Sequence, residues 1–260
     1  MRAVISCVVG WLLIVPGAAR AADGHLDHVH LNVTNGDVAA QWYISVLGCT
    51  AVPDHSNMAQ CGAVRLLFAN TPPRGGNDGT AADHVSFGFA DIVTTMQRLL
   101  KAGVAGPGVR VMDRESPIHD VPGVGKVAYV KDPWGTKLEI IEDAARTGLH
   151  HVHLFSADPK ATTAWYQRAF GGTAGTLTGS LAGLQYGATW LIVTAPNADS
   201  PSPLQPTAGR TIDHVGFSVE QLEAAAADLQ KKGVQVRREP GSTRVMLSAP
   251  DGMTIEAISQ

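Results

Sequence analysis

The sequence predicts an α+β protein assembled from four βαβββ modules, grouped two by two into tandem domains. Three observations predict it. Four short segments place histidine in the same alternating context: Asp27-His28-Val29-His30-Leu31, Asp83-His84-Val85-Ser86-Phe87, His150-His151-Val152-His153-Leu154 and Asp213-His214-Val215-Gly216-Phe217. A helical period of apolar residues follows each segment, and strand-like runs follow each helix. The halves also repeat at long range: His28 precedes Trp42 by 14 residues, and His151 precedes Trp165 by 14.

Residues 1–21 stand apart. Arg2 supplies a positive start, residues 3–17 an apolar run, and Ala19-Arg20-Ala21 a small-residue cleavage site. This is a secretory signal peptide, excluded from the fold. The run is short for a membrane span, which needs about 20 apolar residues. The expectation is a secreted protein, periplasmic in a Gram-negative cell and free of the membrane after cleavage.

In the first module, Val29, Leu31 and Val33 alternate with His28, His30 and Asn32, the pattern of a half-buried strand. The helix carrying Ala39, Trp42, Tyr43 and Val46 stops at Gly48, and Val64–Phe68 reads as a later strand. The second module runs from the Asp83 strand through a helix with Ile92, Met96 and Leu99 to strands over 126–130 and 138–141. In the third, Asp158-Pro159 opens a helix bearing Trp165 and Phe170, and 190–193 is a strand. In the fourth, Ser218-x-x-Gln221 has the spacing of a capping box before Leu222, Ala226 and Leu229, and 254–258 is the last strand. The domains are therefore 24–143 and 148–260, joined by Asp143–Thr147, with Pro- and Gly-rich loops at 70–82 and 195–210.

The balance of 20 basic against 23 acidic residues, with 45% hydrophobic and 17% charged, excludes a disordered chain and a basic nucleic-acid binder. Two cysteines follow the signal, Cys49 and Cys61. An oxidising compartment favours a disulfide between them; two buried thiols are the alternative.

With helices covering one sheet face, the histidines share the other, concave face. Glu139 and Glu256 sit in apolar strands, where a carboxylate is costly unless paired or bound to metal. His30 and His153 share the face of His28 and His151, as bases, hydrogen-bond donors or alternative ligands. His119, in a Pro- and Gly-flanked loop, can reach a site mouth. His25 and His150 read as surface residues, and the Trp-Tyr pairs at 42–43 and 165–166 as core.

The motifs D-H-V-H-L with W-Y-x-x-V-L-G, D-H-V-S-F, and D-P-W-G-T-K-L-E-I-I-E resemble the vicinal oxygen chelate superfamily. That group contains glyoxalase I, extradiol dioxygenases, fosfomycin-resistance enzymes and bleomycin-binding proteins. The second half repeats them as H-H-V-H-L, D-H-V-G-F and P-D-G-M-T-I-E. The resemblance implies glyoxalase-like open barrels of paired modules, with a divalent metal (Fe, Mn, Zn, Ni or Co) on the concave face. It maps ligands to His28, His84 and Glu139 in one domain and to His151, His214 and Glu256 in the other. Modules of this family also exchange between domains, which would join His28 to His214 and Glu256, and His151 to His84 and Glu139. A further carboxylate used by some members maps to Leu66 and Leu191, which speaks against a glyoxalase I reaction.

The resemblance implies a small-molecule partner with adjacent oxygens, no nucleic acid, and a monomer or homodimer. Lyase or isomerase chemistry is the leading expectation. The alternatives are a ring-cleaving dioxygenase and a non-enzymatic binder of an antibiotic-like ligand.

Overall fold

The computed structural model describes residues 24–104, 110–111, 117–238 and 240–260; the leader read over 1–21 lies outside them. The first module comprises β1 (His25–Val33), α1 (Gly36–Leu47), β2 (Thr50–Val52), β3 (His55–Cys61) and β4 (Val64–Asn70). The second comprises β5 (Ala82–Phe89), α2 (Ile92–Val104), β6 (Arg110–Val111), β7 (His119–Val121), β8 (Gly125–Lys131) and β9 (Lys137–Glu142). The third comprises β10 (Gly148–Phe155), α3 (Pro159–Phe170), β11 (Thr173–Leu177), β12 (Leu181–Tyr186) and β13 (Thr189–Thr194). The fourth comprises β14 (Ile212–Val219), α4 (Leu222–Lys231), β15 (Val236–Arg237), β16 (Arg244–Ser248) and β17 (Thr254–Ser259). No helix among the described residues is long and apolar enough to cross a membrane.

The sheets do not follow the order of the modules. One runs β15-β16-β17-β14-β1-β4-β3-β2 and joins the first module to the fourth. The other runs β11-β12-β13-β10-β5-β9-β8-β6 and joins the third to the second. At each centre two antiparallel strands meet, β1 with β14 and β10 with β5, and each is flanked by a parallel partner from its own module. The modules are therefore exchanged between the halves.

Within each half, a helix ties the two modules together instead. Tyr43 of α1 is fully buried, packs against Phe68 and Phe87, and donates its hydroxyl to Asp132 at 2.8 Å. Tyr166 of α3 repeats this with Asp251 at 3.2 Å, while Phe170 stacks on Phe217 at 4.3 Å. One continuous core results, formed by the inward face of every central strand: Val29, Leu31, Val85, Phe87, Val152, Leu154, Val215 and Phe217.

The helix ends follow local chemistry. Asn35 caps α1 by accepting from Val38 N, and Gly48 closes it at φ 78°, where a side chain would be strained. Asp158 caps α3 with Pro159 in its first turn. The capping box expected at Ser218 does not form: Ser218 belongs to β14, and Gln221 at the cap makes no side-chain hydrogen bond. Cys49 and Cys61 form a disulfide that closes α1 and β2 onto the end of β3.

Candidate metal centres

Each central strand pair carries two β-bulges, and the bulges build the sites. In β1 the register skips Asp27, between Leu26 and His28; in β14 it skips Asp213. In β10 it skips His150, and in β5 Asp83. An extra residue in one strand breaks the strict alternation of faces. Two neighbours can then turn to the concave side, and the bulged residue grips the histidine that follows it. Asp27 holds His28 Nδ1 at 2.8 Å, Asp83 holds His84 at 2.6 Å and Asp213 holds His214 at 2.7 Å.

In the β1/β14 site, Glu256 Oε2 lies 3.0 Å from His28 Nε2 and 3.2 Å from His214 Nε2. His30 Nδ1 is 3.1 Å from His214 Nε2. Gly216 makes room for this arrangement: a Cβ there would fall 2.0 Å from the His28 ring. Burial pushes the His28 and His214 pKa values down, but the adjoining carboxylates outweigh it and hold both above the ordinary range. Burial pushes Glu256 up, and the two histidines outweigh that and hold it low. His30 is lowered to about 4 by burial and by His214.

In the β5/β10 site, His84 Nε2 and His151 Nε2 are 3.2 Å apart, with Glu139 Oε2 at 3.7 and 3.4 Å from them. Glu139 also accepts from Ser86 Oγ and Tyr129 OH, both at 2.8 Å. His153 offers a third imidazole, with its Nε2 2.8 Å from Thr194 Oγ1. Burial and His84 lower its pKa to about 3. His150 is not a surface residue. It is fully buried, with Nδ1 2.9 Å from His151 Nδ1 and Nε2 3.2 Å from Asp143. An acid directly before the histidine is missing here, and the joint between the halves supplies one through His150.

Both donor sets fit a divalent first-row ion. Bonds of about 2.0–2.1 Å impose donor–donor edges of roughly 3.0–3.4 Å; five edges of the two sets measure 3.0–3.7 Å, and the His28–His214 edge lies within 4.8 Å. With Nδ1–H donated to a carboxylate, a neutral imidazole presents a bare Nε2 lone pair. In the β1/β14 site both Nε2 atoms face a carboxylate oxygen: without metal, protons on the imidazoles fill these contacts, in keeping with their raised pKa values, and a divalent cation bound there takes the protons' place.

The mapping of His28 with His84 and Glu139 is thus corrected. His28 meets His214 and Glu256, and His151 meets His84 and Glu139, because β1 pairs with β14 and β10 with β5. The mapping of a fourth carboxylate onto Leu66 and Leu191 is also one residue out of phase. Those residues pair with Val29 and Val152 and point into the core; Leu67 and Ile192, opposite His30 and His153, occupy the concave position. Neither is acidic. His119 lies half-buried on β7 opposite Val127, on a strand that pairs with β8 and with none of the four central strands. Sequence reading missed Arg65, Arg244, Ser86 and Tyr129, which the strand registers bring alongside the ligands.

The profile of the Glyoxalase/Bleomycin resistance protein/Dioxygenase superfamily matches residues 25–140 and 148–257. No curated protein matches by sequence. Among solved structures, glyoxalase I from Zea mays is similar over 91% of this chain and 92% of its own, at 18% identity and a TM-score of 0.66. A putative dioxygenase from Bacillus subtilis is similar over 93% of this chain and 86% of its own, at 15% identity and a TM-score of 0.61. At such identities the likeness is one of fold. The doubled profile match, with exchanged modules framing two histidine- and carboxylate-lined faces, establishes that the chain belongs to the Glyoxalase/Bleomycin resistance protein/Dioxygenase superfamily.

Proposed function

We propose that the protein is a secreted metal-dependent enzyme that transforms a small substrate with adjacent oxygens by lyase or isomerase chemistry, and that the β1/β14 site is its working centre. The observation that carries this is the convergence of His28 and His214 on Glu256 Oε2, at 3.0 and 3.2 Å, with the three ligand atoms all within 4.8 Å of one another at a cleft of about 460 Å³. A divalent ion held there supplies Lewis-acid polarisation of a substrate oxygen.

The chain's own groups do the rest. Asp27 and Asp213 fix the tautomer and the aim of the ligand imidazoles. His30, neutral at pH 7 and beside His214, is the group placed to accept a substrate proton. The β5/β10 site has its carboxylate already engaged by two hydroxyls and is lined by Trp190 and Ile192, which cluster with Leu177. That composition suits a metal held without turnover. The leader and the disulfide support secretion, which N-terminal sequencing of the exported protein tests.

The deciding experiment counts metal per chain in protein purified without a His tag, beside His84→Ala and His214→Ala. Each variant is expected to lose one equivalent, and only His214→Ala to lose turnover. A chain that takes up no metal on reconstitution ends this reading and leaves a binding protein. The second reading is a ring-cleaving dioxygenase, favoured by the two-His, one-carboxylate donor set. Iron in the site and oxygen-dependent cleavage of a catechol would establish it.

A further inference from the structure

We propose that the substrate of the β1/β14 site carries a carboxylate beside its chelating oxygen, and that Arg65 and Arg244 recognise it. This rests on the reading of His28, His214 and Glu256 as cation ligands. Arg65 Nη2 lies 2.5 and 2.6 Å from the two oxygens of Asp27, and Arg244 Nη1 lies 3.1 Å from Glu256 Oε1. Both arginines line the cleft, with Ser242 and Thr243 beside them. Each guanidinium meets the site's own carboxylate through one nitrogen, leaving most of its five N–H donors for another acceptor. Their side chains are 36% and 65% exposed, so a ligand in the cleft can reach them.

The second sheet is an internal control. Arg65 stands opposite His28 on β4; the same place opposite His151 on β13 holds Trp190. Arg244 stands opposite Ile258, two residues beyond Glu256; the same place opposite Ile141, two beyond Glu139, holds Val127. Neither the fold nor the ligand set demands an arginine at these positions. The cleft has acquired two.

Charge leads to the same class of ligand. With neutral histidines, Asp27, Asp213 and Glu256 outnumber Arg65 and Arg244 by one negative charge. A bound divalent ion then leaves one positive charge uncompensated. A neutral diol leaves that excess standing, whereas a carboxylate beside a second oxygen donor removes it and matches the guanidinium fork.

The test uses cobalt(II)-loaded full-length protein, its visible spectrum as the readout of ligation, and oxalate and catechol as probes. The titrations are repeated on His84→Ala to assign the signal to the β1/β14 site. Cobalt content is measured throughout. Oxalate is expected to bind at least about tenfold more tightly than catechol. Arg65→Gln and Arg244→Gln are each expected to weaken oxalate about tenfold and catechol less than about twofold. Should a Gln variant lose cobalt, Arg65→Lys and Arg244→Lys carry the same comparison with the charge kept and the fork removed. Unchanged oxalate affinity in the variants, with cobalt retained, overturns the proposal and leaves the cation reading intact. Catechol binding the tighter overturns it and favours the dioxygenase. Failure of His28, His214 and Glu256 to hold cobalt overturns both.

Discussion

At His150 one module departs from the other three, and the hydrogen-bond chain fixes every proton. Asp143 can only accept, so His150 Nε2–H donates to it; neutral His150 then offers Nδ1 as an acceptor to His151 Nδ1–H. His151 Nε2 is left bare toward His84 and Glu139. His150→Phe keeps the buried volume and removes both bonds. It is expected to weaken the β5/β10 metal about 10–100-fold while leaving the other equivalent unchanged, read by competition with a chelating dye. Equal affinities would reduce His150 to packing. Gly216→Ala makes the reverse prediction, because the new Cβ has no room beside the His28 ring. One equivalent should vanish, from the β1/β14 site alone. His30 divides two roles cleanly. As a proton acceptor, its replacement by Ala lowers turnover by about 10²-fold or more with metal content unchanged; as a ligand, it would take the metal with it.

Among the elements, the bulges explain what the sequence disclosed and what it hid. Period-2 alternation exposed the strands that carry His28, His84, His151 and His214, and their repeats exposed the modules. The same alternation placed His150 outside, because a bulge shifts the phase of the strand by one residue and leaves no mark in composition. It also mapped the further carboxylate to Leu66 where Leu67 holds the concave position: two adjacent leucines carry no phase, and only pairing with Val29 and His30 assigns them. Short loops make their own predictions. Asp132 and Asp251 each accept backbone N–H bonds and a tyrosine hydroxyl in a buried turn, and burial pushes both up to about 6. A raised carboxyl favours the fold at acid pH and loses that stability as pH climbs from 3.8 toward 6. About two units correspond to roughly 3 kcal/mol. Asp132→Asn, which keeps an oxygen for Trp134 and Thr136, should therefore gain about that much relative to the parent between pH 4 and pH 7 in urea melts. An unchanged difference would show that Asp132 titrates normally. The Cys49–Cys61 bridge closes a short loop, with a sequence separation of 12. Replacing both cysteines by Ala should cost about 2–3 kcal/mol on the same assay.

For the whole molecule, exchange of modules means that neither half contains a complete site. The apolar phase of β1 and β10 is the same, so either could face any other first strand, and the sequence left both pairings open. The structure chooses β14 for β1 and β5 for β10. Residues 24–143 and 148–260, expressed apart, should each bind metal substoichiometrically, and mixing them should restore two equivalents per pair. A half that binds one equivalent while remaining a monomer would show that modules can also pair within a half; one that does so as a dimer would show exchange between two copies. The joint at Asp143 has a consequence beyond tethering. Two copies of one half, arranged about a two-fold axis, would carry any substitution into both sites simultaneously. A single chain is released from that symmetry, and the replacements Arg65 against Trp190, Gly216 against Ser86 and Asp27 against His150 are what such release permits: one centre free to specialise while its twin keeps the scaffold in order.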